Sequence, residues 1–475
     1  MHRVTPDRPW PLHGSAATRQ LESRALAAAG PHRLMQRAGL SVAKLALALA
    51  PHARRIWIAC GPGNNGGDGL EAAMHLQQWG KHPCVHWLGD GRTLPADAAA
   101  SLQRAQAAGV QFTHTVPDLG TQDLAIDALL GLGSQRPAAG AIAACIAALR
   151  ASTAPVLAVD LPTGLAADTG LAMGPAVQAR HTLGLLTLKP GLFTCMGRDL
   201  AGQVWFDALQ NEATAQPDAV LIGPPAVASR AHASHKGSYG DVAVLGGSTG
   251  MRGAAILAAS AALHAGAGRV YVSTLGEGGP ELLADVPELM WRTPDRLALA
   301  QLTVACGCGG GLEVAARLPQ VLSEAARLVL DADALNAVAA DTGLQASLRQ
   351  RSQPTVLTPH PLEAARLLGS STAAIQADRL AAARALADRF AATVVLKGSG
   401  TVVAAPGRLP AINPTGNARL ATAGTGDVLA GFVAARLAGG DQAWDAACHA
   451  VFQHGQLADT WPARRPLTAS ALARA

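Results

Sequence analysis

Gly61-Pro62-Gly63-Asn64-Asn65-Gly66-Gly67-Asp68-Gly69 joins a β-rich run, Arg55 to Ala59, to a helical stretch from Leu70 to Trp79. Strand, glycine-rich turn and helix in that order gather backbone N–H groups at a helix N-terminus, where the dipole favours an anion such as phosphate. Five glycines and two asparagines exceed what a tight turn requires. Gly61, Gly63 and Gly66 satisfy G-x-G-x-x-G, a weak signal by itself, and the acidic residue expected about 20 positions later for a ribose is missing. An ordinary dinucleotide-binding reading loses weight accordingly.

Outward from this stretch the pattern repeats. Short runs at Leu124 to Asp127, Val156 to Asp160, Thr182 to Thr187 and Gln203 to Asp207 alternate with Ala-rich helical segments. That alternation predicts a parallel sheet with helices on both faces and a ligand site at the carboxyl ends of the strands. Upstream, Arg19 to Ala50 predicts two helices broken at Gly30-Pro31. Gln210 to Ala219 is polar and lacks period, which places a domain boundary near 210–225. Beyond it, runs at Asp241 to Leu245, Val270 to Thr274, Leu328 to Asp331, Thr355 to Leu357, Thr393 to Lys397 and Thr401 to Ala404 predict a second α/β domain. The expected fold class is α/β, with two three-layer α/β/α domains spanning 1–215 and 220–475.

Length agrees with this division, since 475 residues at about 150 per domain give two to three. Apolar residues make up 49% and charged residues 15%, ample for two cores and unlike a disordered chain. The net charge of +5 carries no Lys/Arg block, so a nucleic-acid arm is not expected, whereas anionic small molecules fit. The first 20 residues hold no signal-like apolar run, and no stretch approaches the about 18 apolar residues of a spanning helix. Seven cysteines, an odd number, suggest reduced thiols and a cytoplasmic protein. Cys306 and Cys308 form a C-x-C pair without further zinc ligands and read as buried thiols. Only five of the 38 cationic residues are lysines, so each surviving lysine draws interest.

Two strand ends converge on the glycine-rich turn if the sheet is parallel. Asp127 precedes Leu130-Gly131-Leu132-Gly133-Ser134-Gln135-Arg136-Pro137, and Asp160 opens Asp160-Leu161-Pro162-Thr163-Gly164. Each aspartate suits either a general acid/base or a helix cap. With Asn65 and Thr163 they supply oxygens for a hard cation, while Arg136 can meet phosphate. In the second half, Gly246-Gly247-Ser248-Thr249-Gly250 and Asn417 to Asp427, which ends Gly424-Thr425-Gly426-Asp427 before a helix, again suit anionic oxygens. Asp427 beside such a turn can serve as base for a substrate hydroxyl. Lys397-Gly398-Ser399-Gly400-Thr401 fits a hairpin turn, although its retention of one of the five lysines weighs against a turn alone, and Asp331 and Asp333 read as helix caps or site residues.

GPGNNGGDG, DALLGLG and VDLPTG, with LMQRAG upstream and LKPG downstream, resemble the amino-terminal domain of the bifunctional NAD(P)H-hydrate repair enzymes over about residues 15 to 210. The resemblance implies a Rossmann-like domain that interconverts the R and S epimers at C6 of hydrated NADH and NADPH (NADHX and NADPHX). It assigns Asn64, Asn65, Gly66, Gly67, Asp68, Gly131, Leu132, Gly133, Ser134, Gln135, Arg136, Pro137 and Asp160 to the dinucleotide. Asn65, Asp127 and Thr163 are assigned to a potassium ion, and Asp160 to proton transfer. Gln36 stands where the family usually has Glu, and Thr163 where Ser is commoner.

HKGSYG, GGS, DADALN, TPHP, LKGSGT and NARLATAGTGDVLAG, in that order, resemble the ribokinase-like dehydratase domain of the same family over about residues 220 to 470. This implies transfer of phosphate from ADP, with Mg2+, to the C6 hydroxyl of the S epimer, followed by elimination that leaves NAD(P)H, AMP and phosphate. Ala254, Gly310, His360 and Asp427 would contact the hydrated dinucleotide, with Asp427 catalytic, and Lys397, Gly398, Ser399, Gly400, Thr401 and Gly426 would hold the adenine nucleotide. Cys308 departs from the usual Pro, and Leu362 from the usual Gly. The expected partners are these small molecules and further copies of the chain, with neither nucleic acid nor membrane. A ribokinase-like small-molecule kinase with an accessory amino-terminal domain is the alternative, and a non-enzymatic scaffold a more distant one.

Overall fold

The computed structural model describes residues 1–89, 91–133, 136–212, 214–226, 231–276 and 286–475. The chain divides into two compact units, Met1–Thr5 with Trp10–Ala219, and Pro6–Pro9 with Val220–Ala475.

In the first unit the sheet runs His2–Arg3, Gln203–Asp207, His181–Leu185, Val156–Val159, Leu124–Ala128, Ile56–Cys60, Pro83–Trp87, Gln111–Thr113. All pairings are parallel except that of His2–Arg3 with Gln203–Asp207. Side chains alternate faces along a strand. Ile56, Ile58 and Cys60 accordingly enter one apolar core with Val42 and Leu70, while Trp57 and Ala59 enter another with Ile146 and Leu149. Two cores on opposite faces make the three layers. The helices Ser15–Ala29 and Arg33–Leu49 break at Gly30-Pro31, as the sequence suggests.

From Ile56–Cys60 the chain builds Pro83–Trp87 and Gln111–Thr113 on one side, then returns to place Leu124–Ala128 on the other. The order reverses between Ile56–Cys60 and Leu124–Ala128, and such switch points open a ligand crevice at the strands' carboxyl ends. Gly61 and Leu129 stand there together.

In the second unit the order is Met290–Trp291, Arg269–Thr274, Asp241–Gly246, Thr303–Cys306, Arg327–Leu330, Thr355–Leu357, Thr393–Leu396, Val402–Ala404, Ala411–Ile412, Ala219–Leu221. The pairings are parallel as far as Thr393–Leu396, whose pairing with Val402–Ala404 is antiparallel, as is that of Val402–Ala404 with Ala411–Ile412. Lys397 to Thr401 is therefore the turn of a hairpin. Helices Arg252–His264, Thr425–Ala438 and Ala443–Thr460 cover one face, where Phe432, Val433 and Phe452 pack against Val242, Val244 and Val395.

Several strands are not legible beforehand: Pro83–Trp87, Gln111–Thr113 and Thr303–Cys306 are short and mix Pro, His, Gln, Ala and Cys with few β-branched residues. Asp160 and Asp331 each lie one residue past the strand expected to contain them, because Val156–Val159 and Arg327–Leu330 end earlier.

Candidate active sites in the two units

A cavity of about 620 Å³ opens at the switch point of the first unit. Asn64, Asn65, Asp68, Gly131, Leu132, Gly133 and Asp160 line it. Gly61 and Gly66 do not line it but allow the close backbone approach behind it: a Cβ on Gly61 would stand 1.9 Å from the Leu129 carbonyl, and one on Gly66 1.8 Å from that of Gly61. Two of the three motif glycines are thus fixed by sterics, leaving the helix Asn64–Gln78 to present its N-terminus. Gly67 is buried in that helix, and Arg136 and Pro137 are exposed and do not line the cavity. Ser134 and Gln135 lie outside the described residues.

Asp160 does not cap a helix. It has φ of +67°, an uncommon conformation for a non-glycine residue. Its Oδ1 accepts from the Lys189 ammonium and, at 3.2 Å, from the Leu185 N–H. Lys189 is fully buried and donates also to the carbonyls of Leu185 and Thr187, at 2.9 and 3.0 Å. Asp127 is likewise fully buried. Its Oδ1 accepts from the Thr163 hydroxyl and the Leu129 N–H, and its Oδ2 from the Thr163 N–H. Burial nevertheless pushes its carboxyl up to about 6, with the Thr163 and Leu129 hydrogen bonds opposing.

These residues fit a monovalent cation. Among the described residues Asp127 is a buried carboxylate with no cationic side chain paired to it, and Asn65 is a buried amide whose oxygen, unlike its Nδ2, can ligate a cation. A carboxylate, an amide and a hydroxyl are the donors that a hard cation takes. The Thr-for-Ser exchange at 163 retains the hydroxyl that bonds Asp127. Nothing in the structure explains Gln36.

The sequence reading missed Arg19, Glu22 and Arg92, which line the same cavity, and gave no role to Lys189, which lines it too. The rarity of lysine flags Lys189 in the same way as Lys397, but no pattern marks Glu22.

In the second unit, two glycine-rich loops interlock. The N–H of Gly247 donates to the Cys308 carbonyl at 2.9 Å and that of Ser248 to Gly309 at 2.7 Å. A Cβ on Gly309 would lie 2.9 Å from the Ala254 Cβ, so Ala254 and the Gly309-Gly310 turn are neighbours. Asp331 occupies the N-cap position of helix Ala332–Ala340 but makes no side-chain cap bond. Its Oδ1 instead accepts from Lys397 Nζ and the Thr358 hydroxyl, both at 2.7 Å. Asp333 accepts from the Gly311 N–H at 2.9 Å. The capping alternative fails for both.

Gly424 adopts φ of +88° and starts helix Thr425–Ala438, with Asp427 in its first turn. A Cβ on Gly426 would lie 3.4 Å from Lys397 Nζ, which brings the hairpin lysine to the GTGD turn. Behind the hairpin, the buried Arg379 donates to the carbonyls of Leu396 and Lys397, a support that no sequence signal announces. His360 caps helix Pro361–Leu368 through Nδ1 to the N–H groups of Leu362 and Glu363. The Leu362 side chain is exposed, so the loss of the usual Gly there displaces nothing.

Among the described residues, Cys308 Sγ and carboxylate oxygens of Asp331 and Asp427 lie within 4.8 Å of one another. Burial, then the Asp331 charge, push the Asp427 carboxyl up to about 6, while a hydrogen bond with Cys308 and the Lys397 charge pull it down. Cys308 is buried as expected, yet its thiol donates to Asp331 Oδ2 at 4.0 Å and lies within 4.8 Å of a carboxylate oxygen of Asp427, the proposed base, instead of being incidental packing. Burial pushes Glu363 up as well, but its bonds with His360 and the Lys397 charge outweigh this and hold it below the usual range.

Residues 31–191 match the family model described as YjeF-related protein N-terminus, and residues 242–474 the model described as NAD(P)H-hydrate dehydratase. A bifunctional NAD(P)H-hydrate repair enzyme of Escherichia coli (strain K12) is 36% identical over 451 residues, spanning 91% of this chain and 86% of its own. The chain belongs to the bifunctional NAD(P)H-hydrate repair enzymes. The Coxiella burnetii relative is 34% identical over 94% of both chains. An ADP/ATP-dependent NAD(P)H-hydrate dehydratase from Bacillus subtilis, co-crystallized with ATP/Mg2+, is 32% identical and covers 52% of this chain and 91% of its own, with a TM-score of 0.45. As a member of this family the chain is an enzyme with an epimerase and a dehydratase domain. Relatives of this function match across both units, so neither the kinase nor the scaffold alternative is retained. Among the described residues no helix is long and apolar enough to cross a membrane.

Proposed function

We propose that residues 1–215 epimerise R- and S-NAD(P)HX at C6, with Asp160 transferring the proton. Residues 220–475 then use ADP to dehydrate the S epimer, releasing AMP and phosphate. The observation that carries this reading is the convergence of Asp427, Lys397 and Gly426 on one helix N-terminus, beside Asp331. Asp427 takes the proton of the C6 hydroxyl as that oxygen attacks the terminal phosphorus. Lys397 and the N–H groups around Gly426 hold the phosphate oxygens. Phosphate then leaves in place of hydroxide, drawn out by the ring nitrogen lone pair, and loss of a C5 proton restores the dihydronicotinamide. His360, Ala254 and Gly310 belong to the hydrated dinucleotide's side, and Ser399, Gly400, Thr401 and Gly398 to the adenine nucleotide's.

Asn65, Asp127 and Thr163 would hold K+, which when bound balances the buried Asp127 charge and fixes the loop from Leu129. Asp331 and Asp427 are the hard-oxygen donors near the phosphate site, whereas the Cys308 thiol suits Mg2+ poorly. Mg2+ is therefore expected to travel mainly on the nucleotide phosphates, where it neutralises their charge. By the family resemblance, Ser134, Gln135, Arg136 and Pro137 are assigned to the hydrated dinucleotide. Seven free cysteines accord with a reducing cytoplasm, and assembly as a homo-oligomer is expected.

The test is incubation of the purified protein with mixed-epimer hydrated NADH, ADP, Mg2+ and K+, followed at the reduced-nicotinamide absorbance. Consumption of both epimers with release of AMP and phosphate supports the reading. Consumption of S alone removes the epimerase assignment, and consumption of neither removes the dehydratase assignment.

A further inference from the structure

Inverting C6 of a hydrated dihydronicotinamide needs more than one proton-transfer group. C6 bears both a hydroxyl and the ring nitrogen, so inversion without redox chemistry requires a bond to be broken and remade on the other face. One group must give a proton to the departing oxygen and another must take one from the incoming water. Asp160 alone cannot serve both faces at once.

Lys189 is not the second group. Its ammonium has three N–H donors, and all are committed, to Asp160 Oδ1 and to the carbonyls of Leu185 and Thr187. It is a positioning residue: it holds one oxygen of Asp160, and Asp160 lines the cavity beside it.

The helix Ser15–Ala29 supplies the missing group. Thr18 on this helix shares a 2.8 Å hydroxyl contact with Thr187, the residue whose carbonyl receives Lys189. Glu22 lies four residues on, hence on the same helix face one turn later, and lines the cavity with Asp160 and Lys189. We infer that Glu22 is the proton donor of the epimerase site, acting with Asp160 as acceptor across the substrate's C6. The inference rests on the epimerase reading above.

Glu22 is half-buried, and its carboxyl is raised above the usual range. Burial is the main cause, reinforced by Asp160 and, from helix Ala96–Ala107, by Asp97; Lys189 and Arg19 oppose. Such an acid keeps its proton nearer to neutrality, as a donor must. The Glu22 proton passes to the C6 hydroxyl, the C6–O bond breaks, and water leaves with the bonding pair. The ring nitrogen lone pair forms an N1–C6 iminium cation, which the Asp160 carboxylate favours electrostatically, while burial and the Asp160 and Glu22 charges hold the Asp68 carboxyl well above the usual range. Water adds to the opposite face and gives its proton to Asp160. One water leaves and one enters, and the two carboxyl groups regain their starting protonation from solvent.

The experiment omits ADP, so that the dehydratase is idle, and follows the interconversion of separated R- and S-NADHX by chromatography with K+ present. If the wild type does not interconvert them, the epimerase reading itself fails. If it does, Glu22→Gln is expected to lower kcat about 100-fold or more, with KM within about twofold and an unchanged thermal transition. Glu22→Asp should recover part of the rate. The wild-type rate should fall on the alkaline side as Glu22 loses its proton, and E22Q should lose that limb. Turnover in oxygen-18 water should place one solvent oxygen at C6 per inversion. Full activity of E22Q, a change confined to KM, retention of the original oxygen, or loss of kcat in Asp68→Asn with E22Q unaffected would each overturn the proposal.

Discussion

Thr163 engages both oxygens of the Asp127 carboxylate: its hydroxyl donates to Oδ1 at 2.7 Å and its backbone N–H to Oδ2 at 2.8 Å. The same hydroxyl accepts from the Leu130 N–H at 3.0 Å, tying the end of one strand to the loop beyond its neighbour.

Thr163→Val removes the hydroxyl's bonds while keeping the backbone N–H to Oδ2 and nearly the volume, and strands the Leu130 N–H in a part-buried position. The variant should lose about 2 kcal/mol in urea unfolding, the cost of an unsatisfied group. It should also need about tenfold more K+ for half-maximal R/S interconversion, as losses around a metal site generally do. Thr163→Ser should behave as wild type in both measurements.

Asp427 must be unprotonated to accept a proton, and its carboxyl is pushed up to about 6. Dehydration of the S epimer should therefore rise with pH through about 6 and then level. Cys308→Ala removes the hydrogen bond that lowers this carboxyl, so the rise should move to higher pH. Asp427→Asn should slow S-epimer consumption about 100-fold or more. A profile that does not move in Cys308→Ala would show that the thiol contact does not act on the base.

Lys397 pairs at 2.7 Å with Asp331, whose side chain is nearly inaccessible. Lys397→Met leaves that carboxylate without a cation and should destabilise the second unit by about 3 kcal/mol in denaturant unfolding. Adding Asp331→Asn removes the stranded charge. The double variant should recover part of the loss, with a coupling energy of at least about 1 kcal/mol.

His454 is buried with Nε2 2.9 Å from the Thr425 carbonyl, at the start of the helix that carries Asp427. Burial pulls its imidazole down to about 4, so it is neutral in the folded protein at pH 7. As pH falls through about 6.5 the unfolded chain takes up a proton before the folded one does. Stability should then decline progressively between about pH 6.5 and 4, by up to about 3 kcal/mol. His454→Gln should flatten this part of the curve, read from thermal transitions at pH 7 and pH 5.

The glycine-rich turn at 61–69 and the strand before it were legible because a parallel sheet buries both faces of its central strands, leaving continuous apolar runs. Pro83–Trp87 and Thr303–Cys306 were not, since their pairing comes from register with stronger neighbours. Asp127, Asp160, Asp331 and Asp427 were identifiable as strand-end or turn carboxylates, but their roles were not. Capping and catalysis have the same sequence signature, and only the direction of the side chain separates them.

The sequence by itself determined the alternation of strands and helices, the placing of two glycine-rich turns before helices, and the order of motifs that marks the family. These are local or near-local properties, governed by backbone freedom at glycine and by apolar periodicity. Tertiary structure alone decided that Lys189 holds Asp160, that Glu22 joins them from an upstream helix, and that Cys308 lies beside Asp331 and Asp427. Each joins residues far apart in the chain, and burial there sets both the contact and the charge state of the groups that meet.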